Sequence, residues 1–197
     1  MIERPFSQAC ENNKDPILDI LRDVFAHTNY VLEIGSGTGQ HAAYFSQQLA
    51  PLIWQPADLP EHIPGISSWV EWAEQENLLT PLTLDVNQAW PITATAAVYS
   101  ANTLHIMSWQ SVQQFFAGIK QHLTEQGLLC VYGPFNYQGA YTSDSNAQFD
   151  QWLKARNPVS AIRDFEAVDQ LAKNAGLTLL ADHSMPANNR LLVWQAL

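Results

Sequence analysis

Cysteine is almost missing from this chain: Cys10 and Cys130 are the only two in 197 residues, far apart and without a CxxC partner. They cannot frame a disulfide scaffold or a zinc site by themselves, so both are read as reduced thiols in a reducing compartment. Positive charge is scarce as well. Nine Lys and Arg stand against nineteen Asp and Glu, a formal net charge of −10. A non-specific nucleic-acid binder needs a cationic face to displace phosphate counterions, and so few basic residues leave little for one. No window approaches the ~18 uninterrupted apolar residues of a membrane span. The opening Met1-Ile2-Glu3-Arg4-Pro5-Phe6 lacks the cationic and then apolar run of a secretion signal. The six histidines are scattered, with no H-x-x-x-H pair, so metal is not expected. These absences point to a cytoplasmic protein with no nucleic-acid or membrane partner.

What is present suits a packed core: 47% hydrophobic and 11% aromatic residues, with only 14% charged. The length fits a single domain over 1–197. Asp15-Pro16 reads as a helix opening, a capping carboxylate before a proline whose missing N–H costs nothing in the first turn. Ile17, Leu18, Leu21, Val24 and Phe25 then follow at helical spacing, which makes 1–27 an N-terminal arm and helix. Strands are expected at 30–34, 52–56, 81–84, 96–100 and 128–132. Helices fall between them, including one around 69–77 and one through Val112, Phe115, Ile119 and Leu123 that ends at Gly127. Asp164 can cap a helix through Val168 and Leu171. Two last strands, 177–182 and 191–194, meet through a turn at Asn188-Asn189-Arg190.

Alternating strands and helices mean an α/β fold, a mostly parallel sheet covered on both faces, here with an antiparallel edge at the C-terminus. One long connection, 134–163, follows the fifth strand. Insertions of that length in compact domains are often lids or binding loops, and this one lies beyond the carboxyl ends of the strands, where open α/β sheets bind ligands. Phe149, Trp152 and Leu153 are spaced for a short helix within it. Trp69, Trp72 and Trp152 sit at helical positions and are read as core.

The strongest signal is Val31-Leu32-Glu33-Ile34-Gly35-Ser36-Gly37-Thr38-Gly39, a glycine loop between strand and helix. Glycines at spacing two let the backbone turn sharply and approach a ligand. Gln40 stands where the dinucleotide pattern G-x-G-x-x-G needs its last glycine, which disfavours a nicotinamide oxidoreductase. Asp58 follows the second strand about 20 residues beyond the loop, where a carboxylate can accept ribose hydroxyls. Asp85 ends the third strand, where it can face an adenine amino group beside the Val86 N–H. Each acid taken alone is equally a turn residue at a strand end.

In order and spacing, Glu33-x-Gly35-x-Gly37-x-Gly39, Asp58 and Asp85 resemble the cofactor motifs of class I S-adenosylmethionine-dependent methyltransferases. The likeness covers roughly 28–197 and implies a Rossmann-like, seven-stranded sheet whose last strand is antiparallel. It also implies that Glu33 orients the loop, that Gly35, Ser36, Gly37 and Gly39 pass under the methionyl part, that Asp58 takes the ribose, and that Asp85 and Val86 take the adenine. A closer likeness spans nearly the whole chain. Arg4-Pro5-Phe6, Asn13-Lys14-Asp15-Pro16-Ile17-Leu18, Trp54-Gln55-Pro56-x-Asp58, Ser100-Ala101-Asn102-x-x-His105-Ile106 and Tyr132-Gly133-Pro134-Phe135 resemble an uncharacterised methyltransferase-like family, domain of unknown function 938. Its substrate is not established, so the resemblance sharpens fold and cofactor but not the reaction.

Methyl transfer from a sulfonium is an in-line displacement that rewards positioning and dryness, and it needs a base only for a nucleophile that holds its proton. Asn102 and His105 follow the fourth strand, where a transferable methyl should point. His105 is either that base or a histidine that packs structurally. Arg4 and Asn13 either fold over the cofactor, with Arg4 on its carboxylate, or belong to a surface arm. Tyr137, Tyr141, Asn146 and Arg163 are candidates for the substrate pocket. The [DNS]-P-P-[FY] signature of many DNA and protein amino-methyltransferases is absent after the fourth strand, where Ser100-Ala101-Asn102-Thr103 stands. The expected function is therefore an S-adenosylmethionine-dependent methyltransferase with a small-molecule acceptor. The alternative is a non-catalytic binder of S-adenosylmethionine or S-adenosylhomocysteine with a sensor or partner role. An apolar helix face can support a homodimer, although no pattern specifies one.

Overall fold

A computed structural model describes residues 4–197, so Met1–Glu3 of the opening stretch lie outside the described residues. The elements run α1 (Gln8–Val24), β1 (Tyr30–Ile34), α2 (Gln40–Gln48), β2 (Ile53–Asp58), α3 (Ile63–Ala73), β3 (Leu82–Thr83), β4 (Thr95–Ala101), α4 (Trp109–His122) and β5 (Leu123–Gly133). They continue with β6 (Phe135–Asn136), α5 (Asp144–Arg156), β7 (Arg163–Asp164), α6 (Phe165–Asn174), β8 (Leu177–Met185) and β9 (Asn189–Ala196). Seven strands form one sheet in the order β3-β2-β1-β4-β5-β9-β8, and β6 pairs with β7 separately. β1 to β5 are parallel, while β9 runs antiparallel to both neighbours. This is the Rossmann-like methyltransferase fold: seven strands, mostly parallel, with the last one antiparallel. The C-terminal strand pair forms the antiparallel edge that the sequence implied, with β8 outermost. β9 is inserted between β5 and β8, because the tight turn after β8 returns the chain alongside it into the gap beside β5.

Period-two alternation sorts the strand side chains to the two faces. Leu32, Val98, Leu129 and Val131 pack under α4 and α6, through Val112, Phe115, Ile119 and Val168. Val31, Trp54, Tyr99 and Cys130 pack under α1 and α2, through Ile17, Leu21 and Phe45. Both layers are dry, with Leu32, Trp54, Tyr99, Phe45 and Phe115 fully buried.

Several boundaries differ from the sequence reading. α1 begins at Gln8 under a Ser7 cap, a full two turns before Asp15, and Pro16 lies inside it. The Pro16 nitrogen carries no hydrogen for the Asn12 carbonyl, and the first two turns are polar, so neither periodicity nor capping announced them. α3 starts at Ile63 with Pro64 in its first turn and stops where Glu74 turns left-handed at φ 50. α4 ends at His122, and the chain enters β5 directly at Leu123 rather than waiting for Gly127. The β8–β9 turn is Pro186–Asn188, left-handed at Ala187 and Asn188, and Asn189 already belongs to β9.

Candidate functional site

The glycine loop leaves β1 along the carboxyl end of the sheet, tied down by Gly35 N–H and Ser36 N–H donating to the Ala57 carbonyl at 2.9 and 3.2 Å. Ser36 Oγ donates to Glu33 Oε2 at 3.0 Å and accepts from Ala57 N–H at 3.1 Å. Trp54 Nε1 donates to the same Glu33 oxygen at 3.0 Å. Glu33 is buried, and that burial, with Asp58 nearby, pushes its carboxyl up to about 7. It stands behind the loop and not on a cavity wall, as an orienting role requires. Gly35 has φ 79, and a Cβ there would lie 2.5 Å from Thr103 Oγ1, so only glycine lets the β1 and β4 loops close up. Gly37 has φ 57 and nothing within 4 Å of where a Cβ would sit. Gly39 caps α2 and packs on α3, with Ile66 Cα 3.0 Å from its would-be Cβ; it does not line the cavity.

Over this loop lies a cavity of about 1020 Å³. Asp58, 7% exposed, is on its wall, held by Gly37 N–H on Oδ2 at 2.7 Å and by Leu59 N–H and His62 Nδ1 on Oδ1 at 2.7 and 2.8 Å. Asp85 and Val86 line it too. One Asp85 oxygen accepts the Asn87 N–H and side-chain amide, both at 2.9 Å, so this residue both builds its turn and faces the cavity. Asn102, left-handed at φ 54, and His105 complete the opposite side. His105 is buried, packs edge-on to Phe149 at 5.4 Å, and is pushed down to about 4 by burial and the Arg163 charge.

The first half of α1 roofs the cavity through Ser7, Cys10, Asn12 and Asn13. Asn13 Oδ1 lies 2.7 Å from Nε2 of His41, a buried histidine of α2 that also reaches the wall. Burial pushes His41 down to about 4. No spacing in the sequence marks His41. Gln40 is structural: its side-chain oxygen accepts from Ser7 N–H and Thr38 Oγ1, which ties the start of α1 to the loop.

Besides Glu33 and Gly39, four expected site residues lie off the wall. Arg4 is placed over the Trp69 and Trp72 rings, 5.1 and 4.5 Å from their centroids, because two aromatic faces of α3 hold its guanidinium outside the cavity. Tyr137 donates its hydroxyl to Asp182 at 2.8 Å and stacks on Phe165; Tyr141 donates to Asp150 at 2.7 Å. Arg163 donates to the carbonyls of Leu104, Met107 and Val159. These three brace the 134–163 segment instead of facing into the void; of the four substrate candidates only Asn146 lines it. Phe149 and Trp152 take their place there. Trp152, expected in the core, is 51% exposed, because α5 turns it toward the cavity mouth.

A void of this size stands at the upper end of the about 300–1,000 Å³ range of small-molecule and cofactor sites. The loop fits an adenosyl cofactor on this structure's own terms: open space above Gly37, a carboxylate pinned at the end of β2, and Asp85 with Val86 beyond it. Gly35, Ser36, Gly37, Asp58, Asp85, Val86, Asn102, Asn13 and His105 are thus brought to one cavity or its edge.

Solved structures share the fold. An O-methyltransferase family protein from Burkholderia thailandensis matches with a TM-score of 0.82 at 16% identity, over 93% of this chain and 56% of that one. An O-methyltransferase family 2 protein from Planctomyces limnophilus, in complex with apigenin, matches with 0.82 at 15%, over 96% and 58%. The O-methyltransferase of neocarzinostatin biosynthesis, in complex with S-adenosylmethionine and 2-hydroxy-5-methyl naphthoic acid, matches with 0.79 at 15%, over 96% and 55%. The chain spans little more than half the length of these proteins. Among the described residues no helix is long and apolar enough to cross a membrane. The model of the protein family of unknown function DUF938 matches residues 4–196, and the chain belongs to that family.

Proposed function

We propose that this chain is an S-adenosylmethionine-dependent methyltransferase that acts on a small-molecule acceptor. One observation carries the reading: a single cavity at the carboxyl ends of β1, β2 and β4 brings the open Gly37 loop, the pinned Asp58 carboxylate, Asp85 with Val86, and His105 around one void. Asp58 would hold the ribose, Asp85 and Val86 the adenine edge, and the loop with Asn13 and Asn102 the methionyl end. When bound, the cofactor supplies an electrophilic methyl group on a sulfonium.

The chain's own contribution is position, enclosure and a proton acceptor. The roof of α1 and the wall from α5 close two sides of the cavity, and a polar contact made where a ligand displaces water there is strengthened. His105 is neutral at pH 7, since it protonates only near pH 4. It can take the proton of an O–H or N–H nucleophile. So weak a base sits at the lower end of the ~10²–10⁴-fold range of general-base catalysis. That same weakness favours the second reading, a non-catalytic binder of S-adenosylmethionine or S-adenosylhomocysteine.

Calorimetry with both compounds, followed by a labelled-methyl transfer assay against a metabolite extract, tests the proposal. Heat with both and a labelled product are expected. Binding without product would favour the binder, and no binding by well-folded protein would end both readings.

A further inference from the structure

The proposed function gives Asp58 the ribose, and the hydrogen bonds already on that carboxylate decide how much of the ribose it can take. Oδ2 accepts from Gly37 N–H at 2.7 Å, and Oδ1 accepts from Leu59 N–H at 2.7 Å and from His62 Nδ1 at 2.8 Å. Two carboxylate oxygens offer about four lone-pair positions. Three are filled, and the one left is on Oδ2. A ribose brings two neighbouring hydroxyl donors. The carboxylate alone is one acceptor short.

His62 supplies the missing acceptor. It heads α3, yet its side chain makes no cap bond to that helix. Its backbone N–H donates to the Leu59 carbonyl at 3.0 Å, a tight turn that brings the ring back to Asp58. A carboxylate cannot donate, so the shared hydrogen sits on Nδ1, and in the neutral imidazole that makes Nε2 the acceptor. Nε2 has no hydrogen-bond partner among the described residues. His62 lines the same cavity as Asp58, and its side chain is 48% exposed.

Resting on the proposed function, we infer that His62 is a further cofactor-binding residue: the ribose diol is shared between Asp58 Oδ2 and His62 Nε2, one hydroxyl on each. Asp58 then has two tasks. It accepts one hydroxyl, and it fixes the imidazole so that the free ring nitrogen accepts the other. Selection for an intact diol comes from the pair.

Calorimetry on the full chain at mildly alkaline pH, with S-adenosylhomocysteine and its 2′-deoxy and 3′-deoxy counterparts, tests this. The unaltered chain should lose ~10-fold in affinity with each deoxy compound, since each leaves one acceptor unpaired. His62→Leu fills the place of the ring without an acceptor. It should weaken S-adenosylhomocysteine by ~10-fold and abolish the penalty for one deoxy compound, while the other keeps its penalty in full. His62→Gln, whose amide can donate to Asp58 and accept from a hydroxyl, should retain both penalties and most of the affinity. Equal weakening of all three compounds by His62→Leu would reduce His62 to a support of Asp58. Tighter binding would make it a competitor of the ribose, and unchanged affinity would leave it out of the site. Each of these results overturns the inference and leaves the proposed function standing. Failure of the well-folded, unaltered chain to bind S-adenosylhomocysteine at all would end the proposed function, and this inference with it.

Discussion

Gly35→Ala would drive a methyl group to within 2.5 Å of Thr103 Oγ1 at a φ of 79, whereas Gly37→Ala would meet nothing within 4 Å. The first should cost about 1–3 kcal/mol of stability from strain, read in urea unfolding. The second should cost only ~1 kcal/mol for its left-handed backbone, yet weaken S-adenosylmethionine in calorimetry by ~10-fold or more, because its methyl projects into the space kept open above the loop. Comparable losses of stability in both variants would show that the loop is shaped for packing alone. His105 is separable in a different way. His105→Gln should lower turnover by ~10²-fold with cofactor affinity unchanged. The kcat/KM of the unaltered protein should be flat across pH 6–8 on account of this residue and fall as the pH drops through about 4. Residues of this kind were partly legible. The glycines, Asp58, Asp85 and His105 carry their chemistry in spacing. Arg4, Tyr137, Tyr141 and Arg163 carry suitable chemistry too, but their partners lie outside the cavity, and no spacing reveals a partner.

Helix α5 is tied to the two ends of its own segment through one carboxylate. Asp150, 1% exposed, accepts from Lys154 at 2.5 Å, Tyr141 at 2.7 Å and the Ile162 N–H at 2.7 Å. Burial raises its carboxyl, but the Lys154, Tyr141 and Ile162 bonds outweigh it and hold Asp150 below the usual carboxylate range. Asp150→Ala strands the buried Ile162 N–H, a loss of about 1–3 kcal/mol, while the exposed Lys154 and Tyr141 turn to water. Hydrogen exchange should accelerate across 141–162, while the strands β1, β4 and β5 keep their protection. Acceleration spread evenly over the whole chain would mean that the segment is no separate unit. The sequence did indicate a helix in this connection from Phe149, Trp152 and Leu153. Its weak amphipathicity gave no sign of which aromatic would face solvent, since that depends on how the segment docks. The same limit applies to α1, whose polar first turns are ordered by Ser7 and Gln40 and not by an apolar stripe.

Three buried titratable groups bend the stability of the whole molecule with pH in opposite directions. His41 and His105 protonate near 4 in the folded chain against an ordinary 6.5. As pH falls from 6.5 toward 4 the unfolded chain takes up protons that the native one refuses, so stability is lost over that window. The loss is on the order of 3 kcal/mol per histidine once complete. Glu33 is shifted upward, to about 7 from 4.5, so it costs stability as pH rises from 4.5 to 7. Two histidines outweigh one carboxyl below 6.5. Urea midpoints should therefore climb from pH 4 to a maximum near neutrality, and Glu33→Gln should steepen that climb by removing the opposing contribution. A midpoint flat from pH 4 to 7 would show that these groups are hydrated in the folded protein.

Order along the chain was enough to settle the class of fold, since strands that alternate with helices can bury their apolar faces only in a covered parallel sheet. It also located the loop at the cavity, because glycines at spacing two between strand and helix let the backbone turn sharply there. Position β9 between β5 and β8, the early start of α1, the place of His41, and the exchange of Tyr137, Tyr141 and Arg163 for Phe149 and Trp152 were decided by tertiary structure. Each of these depends on which surfaces meet across long separations in the chain, as Asn13 meets His41 and Asn146 meets Asn188. Local pattern encodes which faces must be covered, and packing alone chooses what covers them.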